Sequence, residues 1–256
     1  MNCRYVYLVC LLFLASCSSN IYSPALFKHN IAYQPKPMTF DQKKNATYLS
    51  GSLGLHQMVN LDNVEFGEIS ISRGHTFQKG NLSIGAFGFA GRVNSNYNAI
   101  DSMNIYRFKN LSFEGFGLRA SGNFSTSFGR TNWRFLGFEA AYSKEFGAYS
   151  NFRNTIFNKP GYYTTLSSSV FTAGLTTEII WHSKSSVENQ YGFRVFIGRN
   201  FGDLSYINNL SENSTFYRLS SSNSFFMQLH HINICVETNG FLSLITSLRV
   251  SAGYRF

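Results

Sequence analysis

Apolar and polar residues alternate with a period of two along most of the chain beyond Asn45, which is typical of β-strands with one apolar face. The last run shows the pattern most clearly, because every second residue from Leu248 to Phe256 is apolar and Arg249 and Arg255 lie on the other face. Similar alternation marks residues 49–55, 69–71, 136–142, 171–181 and 191–197. The chain is therefore predicted to be all-β from residue 46 to its end.

The number of strands is less directly given by the pattern. Nine strands are clear, a short one near Ser214–Ser220 would make ten, and merging two runs would make eight. Residues 81–92 are ambiguous because Phe87 and Phe89 contradict the face set by Leu82 and Ile84. His230–His231 is expected in mid-strand, with His231 facing inward.

The runs are long enough to cross a bilayer as tilted strands, which need about 9–11 residues each. Connections also alternate between short ones, at 77–80 and 184–189, and long ones, at 93–110, 146–164 and 202–214. Together these features predict an antiparallel up-and-down transmembrane β-barrel of about eight to ten strands, with ten favoured. A periplasmic β-sandwich or lipocalin-like domain is the alternative fold, since it predicts the same alternation with its apolar face inward.

Composition agrees with strands that carry wide apolar faces. Aromatic residues make up 17% of the chain and charged residues only 14%, with 26 Phe and 15 Tyr. The net charge of +9 does not indicate nucleic-acid binding, because the basic residues are scattered and the tightest group is Lys43–Lys44. Outer-membrane lipid is the expected partner for this surface.

Charged residues on the polar face predict the interior of the barrel. A narrow lumen needs filling and cannot hold uncompensated charge, so acids and bases on that face are expected to form ion pairs. The residues expected in this lumenal network are Glu68, Arg119, Glu139, Glu178, Arg194 and Arg249.

The first residues have the form of a targeting segment. Arg4 precedes about ten apolar residues, a length typical of a signal-peptide core and too short to span a membrane as a helix. Leu14-Ala15-Ser16-Cys17 then resembles the bacterial lipobox, in which the chain is cut before the cysteine and its thiol is acylated. This resemblance covers residues 1–17. It implies a signal peptide at 1–16, lipidation of Cys17, and a stable membrane anchor.

The residues after the lipobox indicate the destination of the anchor. By resemblance to lipoprotein sorting, Ser18 favours the outer membrane, and the absence of an acidic cluster after Cys17 favours the periplasmic leaflet. Residues 17–45 contain Pro24, Pro35 and Pro37 without steady periodicity, so we expect a lipidated, extended tether that lets the anchor and the barrel of residues 46–256 sit apart.

The final strand resembles the C-terminal signal that the barrel assembly machinery reads, with Tyr254 and Phe256 as its aromatic residues. Lipobox, Pro-containing tether and amphipathic strands together resemble the small outer-membrane β-barrel lipoproteins of the Bacteroidetes type. This family resemblance implies the fold and the location only.

No catalytic, metal or cofactor site is predicted from the sequence. His231 and Cys235 lie about 13 Å apart along a strand, too far to share one ion. The leading hypothesis is a non-enzymatic outer-membrane lipoprotein, either a structural barrel or an accessory subunit that contacts other outer-membrane proteins. A lipid A deacylase-type enzyme using His182 beside Ser183 is an alternative, as is a narrow channel, although a lumen filled with side chains should conduct negligibly.

Overall fold

The computed structural model describes residues 21–37, 44–58, 62–95, 108–160, 162–184, 189–202, 218–240 and 247–256. Its helix is α1 (Ala148–Ile156), and two short parallel strands pair beside it, β1 (Ile21–Tyr22) and β7 (Tyr163–Thr164). Ten longer strands form the body: β2 (Asn45–Gln57), β3 (Asn63–Thr76), β4 (Gly80–Asn94), β5 (Leu111–Phe128), β6 (Thr131–Phe146), β8 (Ser169–His182), β9 (Asn189–Phe201), β10 (Leu219–Leu229), β11 (Ile232–Asn239) and β12 (Ser247–Arg255).

The ten long strands close into one antiparallel barrel in which neighbours in space are neighbours in sequence. Closure is made by β12 against β2, where Val250 lies opposite Leu53. The predicted fold class, with ten strands, is confirmed. Among the described residues, no helix has the length and hydrophobicity needed to cross a membrane.

Of the short strand predicted near Ser214–Ser220, residues 214–217 lie outside the described residues, and Leu219 and Ser220 begin β10. The apolar run around residues 225–237 is divided into β10 and β11 by a tight turn at His230–His231, so the prediction of a single strand there was wrong. His230 takes a positive φ of 54°, which residues other than glycine seldom adopt. His231 stacks on Tyr254 at the barrel end and does not face the lumen, whereas Asn233 does.

The two ends of the barrel differ in the length of their connections. At one end, which we call the turn end, residues 77–79, 129–130, 183–188 and 230–231 join successive strands. At the other, the loop end, the connections are residues 58–62, 95–110, 147–168, 202–218 and 240–246. The first barrel strand begins and the last one finishes at the turn end.

Side-chain direction alternates along the wall, with apolar side chains outward. Leu53 and Ile69 on the outer face are 75% and 68% exposed, while Glu68 and Arg119 on the inner face are buried. A soluble sandwich or lipocalin-like domain has the opposite arrangement. A bulge between Arg134 and Gly137 in β6 resets the alternation, so that Phe135 and Leu136 both face outward.

The ambiguous segment β4 faces its two phenylalanines inward. Phe87 and Phe89 fit there because the next strand offers glycines, and a Cβ on Gly117 or Gly115 would overlap the corresponding ring. Outward positions of β4 remain apolar at Leu82 and Ile84. Apolar side chains therefore occupy both faces of this strand, aliphatic ones outside and phenylalanines inside, which is why its alternation was uninformative.

The greatest departure from expectation concerns residues 21–37, which we call the plug. They lie inside the barrel, where all but Lys28 and Ala32 are buried, and so do not form a tether separate from the body. A turn occupies its first part, with the Phe27 amide donating to the Pro24 carbonyl at 2.9 Å. The physical reason is that the plug supplies polar groups to an inner wall that otherwise has too few partners.

Candidate functional site: a plugged and ion-paired lumen

The plug enters the lumen at the loop end. Ile21 and Tyr22 pair with β7, and the Tyr22 ring packs against Phe152 with ring centroids 5.6 Å apart. The Tyr149 hydroxyl of α1 donates to the Ser23 carbonyl at 3.1 Å. We call β1, β7 and α1 together the cap. Burial in the cap raises the pKa of the Tyr149 hydroxyl well above its ordinary value, so the hydroxyl stays protonated and can donate.

A buried apolar cluster closes the lumen below this cap. It contains three residues of the plug, inward wall residues from β3, β4 and β5, Met58 of the β2–β3 connection and two residues of α1: Tyr22, Ala25, Leu26, Val64, Phe66, Phe87, Phe89, Val93, Phe113, Met58, Tyr149 and Ile156. An ion pair borders the cluster, since Arg153 of α1 lies 3.0 Å from Glu145, whose other oxygen accepts the Ala25 amide at 2.5 Å.

The middle of the plug is held through its backbone. Arg119 donates to the Asn30 carbonyl at 2.9 Å, and Arg249 donates to the carbonyls of His29 and Ile31 at 2.5 and 3.3 Å. These arginines come from opposite parts of the wall, on β5 and β12. Charge-assisted bonds to backbone carbonyls are stronger than neutral ones and fix the height of the plug in the lumen.

Below this level the plug adds side chains of its own. Tyr33 stacks on Phe226 with centroids 4.1 Å apart, and its amide donates to Glu237 at 2.9 Å. Lys36 is fully buried, and its Nζ lies 2.9 Å from Glu178 and 3.8 Å from Glu139. The plug therefore supplies a cation to a wall segment that carries two carboxylates.

The plug leaves the lumen at the turn end. There the Pro37 carbonyl accepts from Thr76 at 2.5 Å and from Arg134 at 3.3 Å. The backbone passes so close to β3 that a Cβ on Gly74 would lie 2.7 Å from the Pro37 ring. Residues 21 and 37 are thus at opposite ends of the barrel.

All six charged residues expected in the lumenal network lie on the inner face and are buried. Arg119 forms a bidentate pair with Glu68 at 2.5 and 2.7 Å. Arg194 pairs with Glu139. Glu178 and Arg249 do not pair with another member of the set, and their nearest opposite charges come from residues outside it. The structure therefore brings together two pairs, not one six-membered network.

Residues that sequence reasoning missed connect those pairs. Glu237 lies 3.2 Å from Arg194 and 3.8 Å from Arg249, and Arg134 lies 2.7 Å from Glu178. Glu237 shares its face with Cys235, so alternation could have found it. Arg134 precedes the bulge that resets the alternation, and Lys36 lies in the plug, where periodicity gave no signal.

Little space remains once the plug is in place. A polar cavity of about 20 Å³ lies between the plug and the wall near Tyr33 and Ser52, enough for about one water molecule. Within the described ranges, no group of three or more His, Cys, Asp or Glu side chains is arranged to hold a metal ion. The lumen is thus a packed core.

The remaining candidate residues lie apart from the lumen. His182 stands at the turn end, where its Nδ1 is 2.9 Å from the Ser183 carbonyl. Tyr254 and Phe256 face outward at the same end, with ring centroids 5.0 Å apart. Cys17 lies outside the described residues.

The outer wall carries a broad apolar depression of about 1070 Å³ that crosses seven neighbouring strands, β11, β12, β2, β3, β4, β5 and β6. Small residues form its floor and larger ones its sides: Gly51, Gly67, Gly88, Ala90 and Ala252, with Leu53, Ile69, Phe116, Phe146 and Val250. A Cβ on Gly51 would meet nothing within 4 Å, so the depression is open to whatever surrounds the barrel.

These features define the protein as a closed ten-stranded β-barrel whose lumen holds its own N-terminal segment. Its fold is similar to the translocator domain of the autotransporter NalP from Neisseria meningitidis, at 10% identity, covering 83% of this chain and 88% of that one, with a TM-score of 0.42. It is also similar to the NanC porin, at 12% identity over 82% of this chain and 100% of that one, with a TM-score of 0.33.

The transport unit of the autotransporter AIDA-I from Escherichia coli is another similar structure, at 7% identity, covering 92% of this chain and 100% of that one, with a TM-score of 0.34. No protein-family model matches the sequence, and no curated protein matches it.

Proposed function

We propose that this protein is a non-enzymatic outer-membrane lipoprotein, acting as a structural barrel or as an accessory subunit of a larger envelope assembly. The observation that carries the proposal is the pairing of an apolar outer wall with a lumen closed by the plug. A barrel of this kind offers its rims and its outer wall for contacts, and no passage through its centre.

The outer wall fits a bilayer in composition and in layout. Exposed aromatic residues gather near both rims, as in the girdles of membrane barrels. At the turn end these are Phe124, Phe128, Trp133, Trp181 and Tyr254, and at the loop end Phe116, Phe146, Phe171 and Phe201. Aliphatic residues such as Leu53 and Ile69 lie between them, together with Phe138 and Phe225. In water, so large a continuous apolar surface would drive association.

Two sequence features complete the proposal. The lipobox ending at Cys17 supports a covalent lipid anchor, and Tyr254 and Phe256 support recognition by the barrel assembly machinery. Acyl chains on Cys17 would make membrane attachment independent of barrel insertion. The protein would then remain with its membrane during assembly.

The depression on the outer wall favours the accessory-subunit version. Its floor of small residues lets a second apolar element approach the strands closely, which is how helices pack in a membrane. A barrel that is surrounded by lipid alone does not need a depression of this kind.

The test begins with fractionation and gel mobility of the full-length protein at its native level. We expect it in the outer membrane, with a mobility in unboiled samples that changes on heating. Recovery in a soluble fraction after lipid removal would contradict the proposal.

Mild-detergent purification then separates the two versions. A stoichiometric outer-membrane partner that is lost in the depression-filling variant Gly88→Leu, but kept in Gly122→Leu, identifies an accessory subunit. Both substitutions are outward, and their Cβ atoms would meet nothing closer than 3.5 Å. Purification of the protein alone identifies a free-standing barrel.

A further inference from the structure

The plug runs from the loop end at Ile21 to the turn end at Pro37. A lipid anchor in the periplasmic leaflet would require the opposite orientation, with Ile21 at the turn end. Residue 37 lies at the turn end, where Thr76 binds the Pro37 carbonyl and β2 begins shortly afterwards. Ile21 lies at the loop end, paired with Tyr163 in the connection between β6 and β8. The chain therefore crosses the full height of the barrel before its first barrel strand.

The contacts that set this direction are specific at each level. Glu145, near the loop-end terminus of β6, binds the Ala25 amide, and Glu178, in the turn-end half of β8, binds Lys36. Arg119 and Arg249 hold the backbone between these levels. A reversed plug would separate the Ala25 amide from Glu145 and Lys36 from Glu178, so both observed contacts would be lost.

Covalent geometry then limits where Cys17 can be. Cys17 precedes Ile21 by four positions, and because a fully extended chain gains at most about 3.5 Å per residue, its Cα can be at most about 14 Å from that of Ile21 at the loop end. The hydrocarbon core of a bilayer is about 30 Å thick. An acyl group on Cys17 therefore cannot reach the leaflet at the turn end while the plug is in place.

The loop end is the outward end by the general architecture of outer-membrane barrels, in which short turns face the periplasm and long loops face outside. This step rests on the proposed function, because it needs the barrel to stand in the outer membrane.

We infer that the lipid on Cys17 is inserted in the outer leaflet at the cell surface, and that the N-terminal segment reaches it through the lumen of its own barrel. The segment before Ile21 is therefore bound to the outer leaflet through its lipid. The plug connects this surface anchor to the transmembrane barrel. The periplasmic leaflet expected from the sequence is replaced by the opposite one.

Cysteine labelling of intact cells with a membrane-impermeant maleimide tests the inference in the full-length protein. The reporter is Ser19→Cys, between the anchor and the plug. Asn154→Cys on the exposed face of α1 marks the loop end, and Lys79→Cys in the exposed β3–β4 turn marks the turn end. The native Cys235 is buried and sets the background in each variant. An epitope inserted after Ser19 and detected by antibody on intact cells provides a second readout.

We expect Ser19→Cys to be labelled on intact cells as strongly as Asn154→Cys, while Lys79→Cys is labelled only after permeabilisation. If Asn154→Cys reacts on intact cells but Ser19→Cys, like Lys79→Cys, reacts only after permeabilisation, the inference is overturned and the proposed function stands. Labelling of Lys79→Cys alone on intact cells shows a reversed barrel and also overturns it. If none of the three reacts on intact cells and the protein is absent from the outer membrane, the proposed function itself fails.

Discussion

The inner and outer faces of this barrel are made from alternate residues of the same strands, but they are stabilised by different kinds of partner. On the outer face, Leu53 and Ile69 need only an apolar surrounding, and any lipid supplies it. On the inner face, Arg194 needs Glu139 and Glu237 at bonding distance, because a buried charge without a partner is costly. One face tolerates many sequences, and the other depends on individual pairs.

The comparison also explains why the plug is inside. The inward side chains of the ten strands do not fill the lumen, and the plug supplies further donors to buried carboxylates on the wall. Lys36 donates to Glu178, and the Tyr33 backbone amide of the plug donates to Glu237. The plug is thus part of the core of the inner face, whereas the outer face has no counterpart within the described part of the chain.

The largest expected effect comes from breaking the inner face at its centre. Arg194→Met should lower the free energy of unfolding by about 3–5 kcal/mol, because it leaves Glu139 and Glu237 buried with only weaker partners. Urea titration of the barrel in detergent micelles measures the change. Arg199→Met, on the exposed outer face of the same strand, is the matched control and should change it by less than about 0.5 kcal/mol. Equal effects of the two substitutions would remove the distinction between the faces.

A charge on the outer face tests the membrane part of the comparison. Leu53→Arg should cost about 2–4 kcal/mol in lipid vesicles, because Leu53 lies near the middle of β2 and would expose a cation to hydrocarbon. Leu53→Phe should be nearly neutral at the same site. If the arginine variant unfolds at the same urea concentration as the native protein, the outer wall does not face hydrocarbon.

A smaller difference in stability is expected between alanine substitutions of glycines on the inner and the outer face. Gly117→Ala should destabilise the barrel by about 1–3 kcal/mol, since its Cβ would overlap the Tyr142 carbonyl and the Phe87 ring. Gly51→Ala meets nothing within 4 Å and should leave stability unchanged or raise it slightly. Thermal unfolding of both variants measures the difference, and the same sign in both would contradict the packing of Phe87 against β5.

The smallest effect concerns the attachment of the plug at the turn end. Thr76→Val removes the hydrogen bond to the Pro37 carbonyl and should cost about 0.5–1.5 kcal/mol. Thr47→Val on the outer face of β2 is the control, with a smaller expected change. Hydrogen exchange of the Lys36 amide should also rise in Thr76→Val alone. An unchanged exchange rate would mean that this bond does not hold the plug.

Alternation predicted most of the wall, because lipid and lumen select side chains independently at every second position. It succeeded for β12 and for the inward placement of Glu68 and Arg119, which lie in regularly paired parts of their strands. It gave no answer in β4, where glycines on β5 make room for inward Phe87 and Phe89. It also missed the turn at His230–His231, since neither residue is a usual turn former and only the positive φ of His230 closes it.

The plug could not be predicted from the same signal. Its residues bind through backbone carbonyls and amides, as at Asn30 and Tyr33, so their side chains show no periodicity. Lys36 looks like a solvated lysine until the carboxylates of Glu139 and Glu178 are brought around it by separate strands. Partners this distant in sequence leave no local pattern.

The most direct test of the account is planar-bilayer recording of the full-length barrel beside a variant that lacks residues 21–37, with heat-dependent gel mobility to establish that both are folded. We predict no steady conductance for the full-length protein and a steady open conductance for the variant, because the plug is what closes the lumen. A full-length barrel that conducts as well as the variant would contradict the account.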